Sequence, residues 1–176
     1  MTKQFVLIDR DGTLNVEKQY LSDPDQLELI PGAAPALKRL QEAGRGICVV
    51  SNQSGIARGY FDLAQVARVH QRLVEMLAEF DVHVDGIYLC PHGPDDGCDC
   101  RKPLPGMVRQ AMAEHGFDPR RGWMIGDKEA DVGLGHAVGA QSILVRTGYG
   151  REHEPNTHAD FITDDLAAAI DLILSN

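Results

Sequence analysis

Short apolar runs alternate with amphipathic stretches along the whole chain. The segments QFVLI (4–8), GICVV (46–50), GIYLC (86–90), GWMIG (122–126) and QSILV (141–145) are continuous in apolar character, which predicts strands buried on both faces. Between them, 33–43 reads as a helix stopped by Gly44, and 63–80 as a second one. In that second helix Leu63, Val66, Val69, Leu73, Met76, Leu77 and Phe80 recur at helical spacing and are expected in the core, with Asp62 and Gln65 as a capping-box start. Further helices are expected at 104–116, 129–138 and 164–175, with a short edge strand at 159–162. Strands alternating with helices predict an α/β fold: a Rossmann-like parallel sheet with helices on both faces. No repeat or linker interrupts the pattern, so one domain over 1–176 is expected.

In such a sheet ligands bind outside the carboxyl ends of the strands. The residues there are Asp9, Arg10 and Asp11 after the first strand, and Ser51 and Asn52 after the second. A cysteine-bearing loop leads to Arg101 and Lys102 after the third, and Asp127, Lys128 and Asp131 follow the fourth. Asp9, Asp127 and the backbone carbonyl of Asp11 offer hard oxygen ligands for Mg2+, with Asp131 a candidate outer partner. The Gly12-Thr13 turn offers backbone N–H groups to an anion. Lys102 and the Ser51 hydroxyl would neutralise and bond phosphate oxygens, the layout phosphoryl transfer requires. Taken alone, DRDG is a solvated turn and GDKEAD an acidic helix start; together, each after its own strand, they argue for a site.

Composition narrows the partners. A net charge of -9 without a basic cluster argues against nucleic acid and anionic membranes, leaving small molecules. The apolar run near the start spans four residues, too short for a signal segment or a membrane span, so a cytoplasmic location is expected. In a reducing compartment Cys90, His92, Cys98 and Cys100, spaced C-x-H-x5-C-x-C, suit a closed tetrahedral Zn2+ site. A disulfide is the competing structural reading, and a C-x-C redox pair would need an activating environment. Cys48 lies mid-strand and reads as a small buried hydrophobe, and the remaining histidines as surface or packing residues.

The motifs DRDGT (9–13), Ser51, Lys102 and GDKEAD (126–131) resemble the four motifs of the haloacid dehalogenase-like phosphatase superfamily, in its order. That resemblance implies that Asp9 attacks phosphorus to form an aspartyl-phosphate and that Asp11 serves as general acid and then base. Neither inter-motif segment has room for the cap domain many members carry. Within the superfamily, the cysteine loop running into CRKP, together with SNQSGIARGYF (51–61), resembles the capless heptose-bisphosphate phosphatases more closely than the histidinol-phosphate phosphatases. The implied reaction is hydrolysis of the 7-phosphate of D-glycero-D-manno-heptose 1,7-bisphosphate, in synthesis of activated heptose for bacterial surface glycans. The implied substrate contacts are Asp9, Arg10, Asp11, Glu17, Lys18, Gln19, Tyr20, Ser51, Asn52, Gln53, Ser54, Arg101, Lys102 and Lys128. Arg101 is the natural partner of a second phosphate, because a guanidinium binds it bidentately. Histidinol-phosphate phosphatase is the enzymatic alternative. A phospho-accepting receiver module and a silent zinc-binding adaptor are the alternatives of other classes, and a monomer is expected.

Overall fold

The core of the protein is a six-stranded sheet, seen in a computed structural model that describes residues 3–176. The strands are β1 (Phe5–Ile8), β2 (Gly46–Asn52), β3 (Gly86–Cys90), β4 (Trp123–Gly126), β5 (Gln141–Val145) and β6 (Phe161–Thr163). The helices are α1 (Ala33–Glu42), α2 (Leu63–Ala78), α3 (Gly106–His115), α4 (Glu129–Val138), α5 (Gly150–His153) and α6 (Leu166–Ser175). Every strand pair is parallel, in the order β3-β2-β1-β4-β5-β6.

The period-two alternation of a strand sorts the core into two layers. Val6, Ile8, Ile47 and Val49 pack with Leu37 and Leu40 of α1, Val69, Leu73 and Leu77 of α2, and Ile170 and Ile173 of α6. Phe5, Leu7, Cys48 and Val50 pack on the other face with Val108 and Ala111 of α3 and Leu134 of α4. Burial also pushes the Cys48 thiol up to about 12, so it stays a neutral packing group. Leu73 is fully buried, so Leu73→Ala should cost about 2–5 kcal/mol in denaturant unfolding. A loss under about 0.5 kcal/mol, the scale of a surface change, would contradict its place in the core.

Some boundaries differ from the expected ones. Leu63 and Phe80 are 56% and 45% exposed, and Met76 is only partly buried. Leu63 is the first helical residue, directly after the Asp62 cap whose capping box with Gln65 is present, and Phe80 lies beyond the helix end at Ala78. The helix expected from 104 begins at Gly106 because Pro105 takes the cap position. The one expected from 164 begins at Leu166, where the Asp165 carboxylate accepts from the Ala168 N–H. The edge strand falls at Phe161–Thr163, and α5 was not anticipated.

The segment between β1 and α1 has little regular structure, yet Leu14, Leu21, Leu27 and Ile30 anchor it in the first layer. Neither it nor the stretch from β2 to β3, which contains α2, holds a further sheet. Among the described residues no helix is long and apolar enough to cross a membrane.

Candidate active site

From β1 the chain builds outward to β2 and β3, then crosses back to place β4 on the other side of β1. This reversal opens a crevice at the carboxyl ends of β1 and β4, where an open parallel sheet binds its ligand. Asp9 follows β1 and Asp127 follows β4; Asp131 lies in the first turn of α4. Carboxylate oxygens of all three lie within 4.8 Å of one another, and all three residues are buried.

Lys102 enters this cluster from the far end of the cysteine loop. Its Nζ donates to Asp9 Oδ1 at 2.6 Å and to the Val50 carbonyl at 2.9 Å, and pairs with Asp131 Oδ1 at 2.7 Å. Burial disfavours its charged form, but the charges of Asp131 and Asp9 outweigh burial and hold the ammonium above its ordinary range. Three acids against one cation leave excess negative charge. Burial, then Asp9 and Asp131, push the Asp127 carboxyl up to about 8. Its Oδ2 accepts from the Tyr149 N–H at 2.8 Å, while its buried Oδ1 has no protein partner. A buried orphan oxygen inside an over-acidic cluster fits a hard divalent cation such as Mg2+. Asp131 joins this carboxylate cluster with both oxygens engaged by protein, its Oδ1 paired with Lys102 at 2.7 Å and its Oδ2 accepting from the Lys128 N–H at 3.0 Å.

Asp11 faces a different set of partners. Arg10 Nε and Nη2 donate to its two oxygens at 3.2 and 2.8 Å, Asn15 Nδ2 at 3.0 Å and Gln53 Nε2 at 2.9 Å. Burial would raise its proton affinity, but Arg10 and these bonds prevail and lower it. With the carboxylate so engaged, its backbone carbonyl is the group left for a cation. The Gly12 N–H donates to the Asn15 carbonyl at 2.7 Å and that of Thr13 to the Arg10 carbonyl at 3.4 Å. The expected N–H cradle for an anion is therefore spent closing the loop.

Over these groups lies a cavity of about 490 Å3. Of the expected contacts, Asp9, Asp11, Glu17, Gln19 and Tyr20 line it, as do Asn52, Gln53, Ser54, Arg101, Lys102 and Lys128. Three expected residues do not. The Arg10 side chain is fully buried behind Asp11, which makes it a brace for that carboxylate. Lys18 pairs with Glu28 at 3.3 Å on the exposed side of its loop. Ser51 sits within β2, buried, its hydroxyl accepting from Gln53 Nε2 at 2.7 Å.

The cysteine loop starts at the end of β3. Cys90 Sγ lies 3.7 Å from Cys98 Sγ, 3.0 Å from Cys100 Sγ and 3.6 Å from His92 Nδ1, which is 3.3 Å from Cys100 Sγ. A tetrahedral zinc separates its sulfur ligands by about 3.8 Å and sulfur from nitrogen by about 3.5 Å; the Cys90–Cys98 and both histidine distances are close to those values, Cys90–Cys100 is shorter, and all four ligand atoms lie within 4.8 Å of one another. All four cysteines are unbridged in the structure. The loop delivers its neighbours by direct bonds. Arg101 Nη1 donates to the His92 carbonyl at 3.2 Å, and the Asn52 amide bonds both the N–H and the C=O of Lys102, at 3.0 and 3.3 Å.

Tyr149, in the loop after β5, also lines the cavity and was missed by the sequence reading. The strand-end rule applied to β5 would have found it, since RTGYG (146–150) follows that strand. Gly148 has φ 55°, and a Cβ there would strike both Asp127 Oδ2 and Gly12 Cα. Gly148→Ala should displace Asp127 and lower kcat by roughly 10²-fold, the scale of a small misplacement in a catalytic site. Unaltered kcat in steady-state assays would contradict that packing role.

A family described as "HAD-hyrolase-like" matches residues 99–169. The D-glycero-beta-D-manno-heptose-1,7-bisphosphate 7-phosphatase of Pseudomonas aeruginosa is 44% identical over 177 residues, covering 99% of each chain. The D-glycero-D-manno-heptose-1,7-bisphosphate 7-phosphatase of Thermosynechococcus vestitus is 38% identical, covering 100% of this chain and 98% of its own. Among solved structures, the D,D-heptose 1,7-bisphosphate phosphatase of B. bronchiseptica, complexed with magnesium and phosphate, matches with TM-score 0.91 and 36% identity over 98% of each chain.

Proposed function

Because this chain belongs to the haloacid dehalogenase-like phosphatases, we propose that it removes the 7-phosphate of D-glycero-D-manno-heptose 1,7-bisphosphate through an aspartyl-phosphate on Asp9. The observation that carries this reading is the buried Asp9–Asp127–Asp131–Lys102 cluster at the β1/β4 crevice, in a chain whose relatives are heptose-bisphosphate phosphatases from end to end. Neither a receiver module nor a silent adaptor accounts for a phosphatase relative 44% identical over 99% of each chain. The reaction belongs in the cytoplasm, in the route to activated heptose for surface glycans.

Asp9, Asp127 and the Asp11 carbonyl would hold Mg2+, with Asp131 completing the acidic wall. When bound, the cation would offset the charge of the acids and of the phosphoryl oxygens. Lys102 donates to Asp9 Oδ1 and stays positively charged beside the transferring group. Asp9 attacks phosphorus, the bond from phosphorus to the sugar C7 oxygen breaks, and Asp11 gives its proton to the departing alkoxide. Asp11 then takes a proton from water as that water attacks the acyl phosphate, which frees Asp9. The Arg10, Asn15 and Gln53 contacts favour ionised Asp11, which suits the second half-reaction. For the first, the dianionic phosphate brought beside Asp11 raises its proton affinity.

A zinc on Cys90, His92, Cys98 and Cys100 is structural in this reading, since four protein ligands leave no position for water. It fixes Arg101 to receive the second phosphate. Arg101→Ala should therefore lower kcat/KM for the bisphosphate roughly 10- to 100-fold more than for a simple monophosphate, the worth of one bidentate charged contact. Equal losses on both would remove that role. The reading as a whole is tested by phosphate release from both anomers of heptose 1,7-bisphosphate against histidinol phosphate. Turnover of either heptose anomer should exceed that of histidinol phosphate, and the reverse order would overturn it.

A further inference from the structure

At the mouth of the cavity three side chains meet whose joint arrangement the proposed chemistry leaves unexplained. Lys128 Nζ lies 3.5 Å from Glu17 Oε2, a long ion pair, and 4.7 Å from the centre of the Tyr149 ring. All three residues line the cavity. Lys128 lines the same cavity as Asp9, which makes its ammonium available to a phosphate docked there. On its own, the four-carbon stem of a lysine is too flexible to hold that position.

Both neighbours of the ammonium are held by their own backbones. Glu17 Oε1 accepts from the Gln19 N–H at 2.6 Å, in a turn where Gln19 adopts φ 61°, uncommon for a residue with a side chain. Tyr149 is flanked by two glycines: a Cβ at Gly148 would strike Asp127, and one at Gly150 would strike the Val145 carbonyl. Its N–H is committed to Asp127 Oδ2 at 2.8 Å. The Tyr149 backbone is thus fixed independently of its ring, and the ring meets Lys128 from a rigid support.

The two neighbours differ in what a phosphate does to them. A dianionic phosphate competes with the Glu17 carboxylate for the ammonium, and at 3.5 Å the existing pair is weak enough to yield. The ring face carries no net charge and no acceptor lone pair, so it attracts the ammonium without competing for the phosphate. We propose that Tyr149 is a positioning residue that keeps the Lys128 ammonium at the cavity wall while it exchanges Glu17 for an oxygen of the phosphate docked beside Asp9. The exchange frees the Glu17 carboxylate to accept hydrogen bonds from hydroxyl groups of the same ligand. The cavity thereby selects a phosphate ester carrying neighbouring hydroxyls over one carrying a carboxylate there. This deepens the phosphatase reading and rests on it.

The test is a double-mutant cycle between Tyr149 and Lys128, read first with inorganic phosphate in the presence of Mg2+. Binding is followed by calorimetry, so the result does not depend on which sugar is the substrate. Tyr149→Leu should weaken phosphate roughly 3- to 30-fold, the range of a partly desolvated cation–π contact. Tyr149→Phe should restore it, because the ring and not the hydroxyl acts. In a Lys128→Met background Tyr149→Leu should add nothing. In turnover the Leu change should raise KM while leaving kcat within about 2-fold, since the contact is present in ground and transition states alike. A merely structural role would displace Asp127 through the shared loop and lower kcat. Should Tyr149→Leu fail to fold, Tyr149→Met makes the same comparison. The proposal is overturned if Leu binds phosphate like the parent, if Phe behaves like Leu, or if the loss persists without Lys128. Failure to turn over any heptose bisphosphate would overturn the substrate reading while leaving the phosphate titration to decide this one.

Discussion

Asp9→Asn should abolish turnover, by roughly 10³-fold or more in kcat, the scale on which removal of a covalent nucleophile acts. Three effects coincide at this side chain. A neutral amide does not attack phosphorus. It is also a poorer ligand for a divalent cation than the carboxylate it replaces. And Lys102, which pairs with Asp9 at 2.6 Å, loses one of its two anionic partners inside a buried cluster. Because the amide is nearly isosteric, the fold should survive, and the circular dichroism spectrum should match the parent. Phosphate release measured to the detection limit checks this, and retained activity above about 1% would rule out attack by Asp9.

The second large effect should follow loss of the loop metal. Protein prepared without chelator should carry about one zinc per chain by elemental analysis, because a closed four-ligand site binds one. Cys98→Ser should remove it, lower the thermal midpoint, and reduce kcat/KM by roughly 10²-fold or more. The stability loss arises because the loop from 91 to 103 is rich in Gly, Pro and Asp and buries little of its own. At this chain length each kcal/mol lost lowers the midpoint by about 2–4 °C. The activity loss arises because Arg101 hangs from the His92 carbonyl and Lys102 follows it directly. Cys48→Ala is the contrast: its thiol is buried in the sheet, so the zinc should remain. Full activity in a metal-free Cys98→Ser protein would contradict the delivery role.

The sheet was legible because its strands are apolar on both faces, which leaves little ambiguity between strand and loop. Asp9, Asp127 and Lys102 were legible because the strand-end rule and the superfamily motifs converge on them. What escaped was direction. Nothing in DRDG tells which of two adjacent charges faces the cavity, and the Arg10 side chain, expected at the ligand, is fully buried against Asp11. Ser51 likewise lies inside β2, where Gln53 takes its hydroxyl. Leu63 and Phe80 kept the helical spacing of the core and still emerged at the surface, because spacing does not say where a helix ends. Tyr149 depends on packing between Gly12, Gly148 and Asp127, three residues brought together only by the fold.

The central claim, a phosphatase that uses Asp9 to remove one particular phosphate, is tested most directly by 31P NMR of heptose 1,7-bisphosphate incubated with the protein and Mg2+. The C7 phosphomonoester resonance should disappear, with inorganic phosphate rising to match it and the anomeric phosphate resonance unchanged. Loss of the anomeric phosphate first, or an unaltered spectrum with protein that holds both metals, would contradict the account.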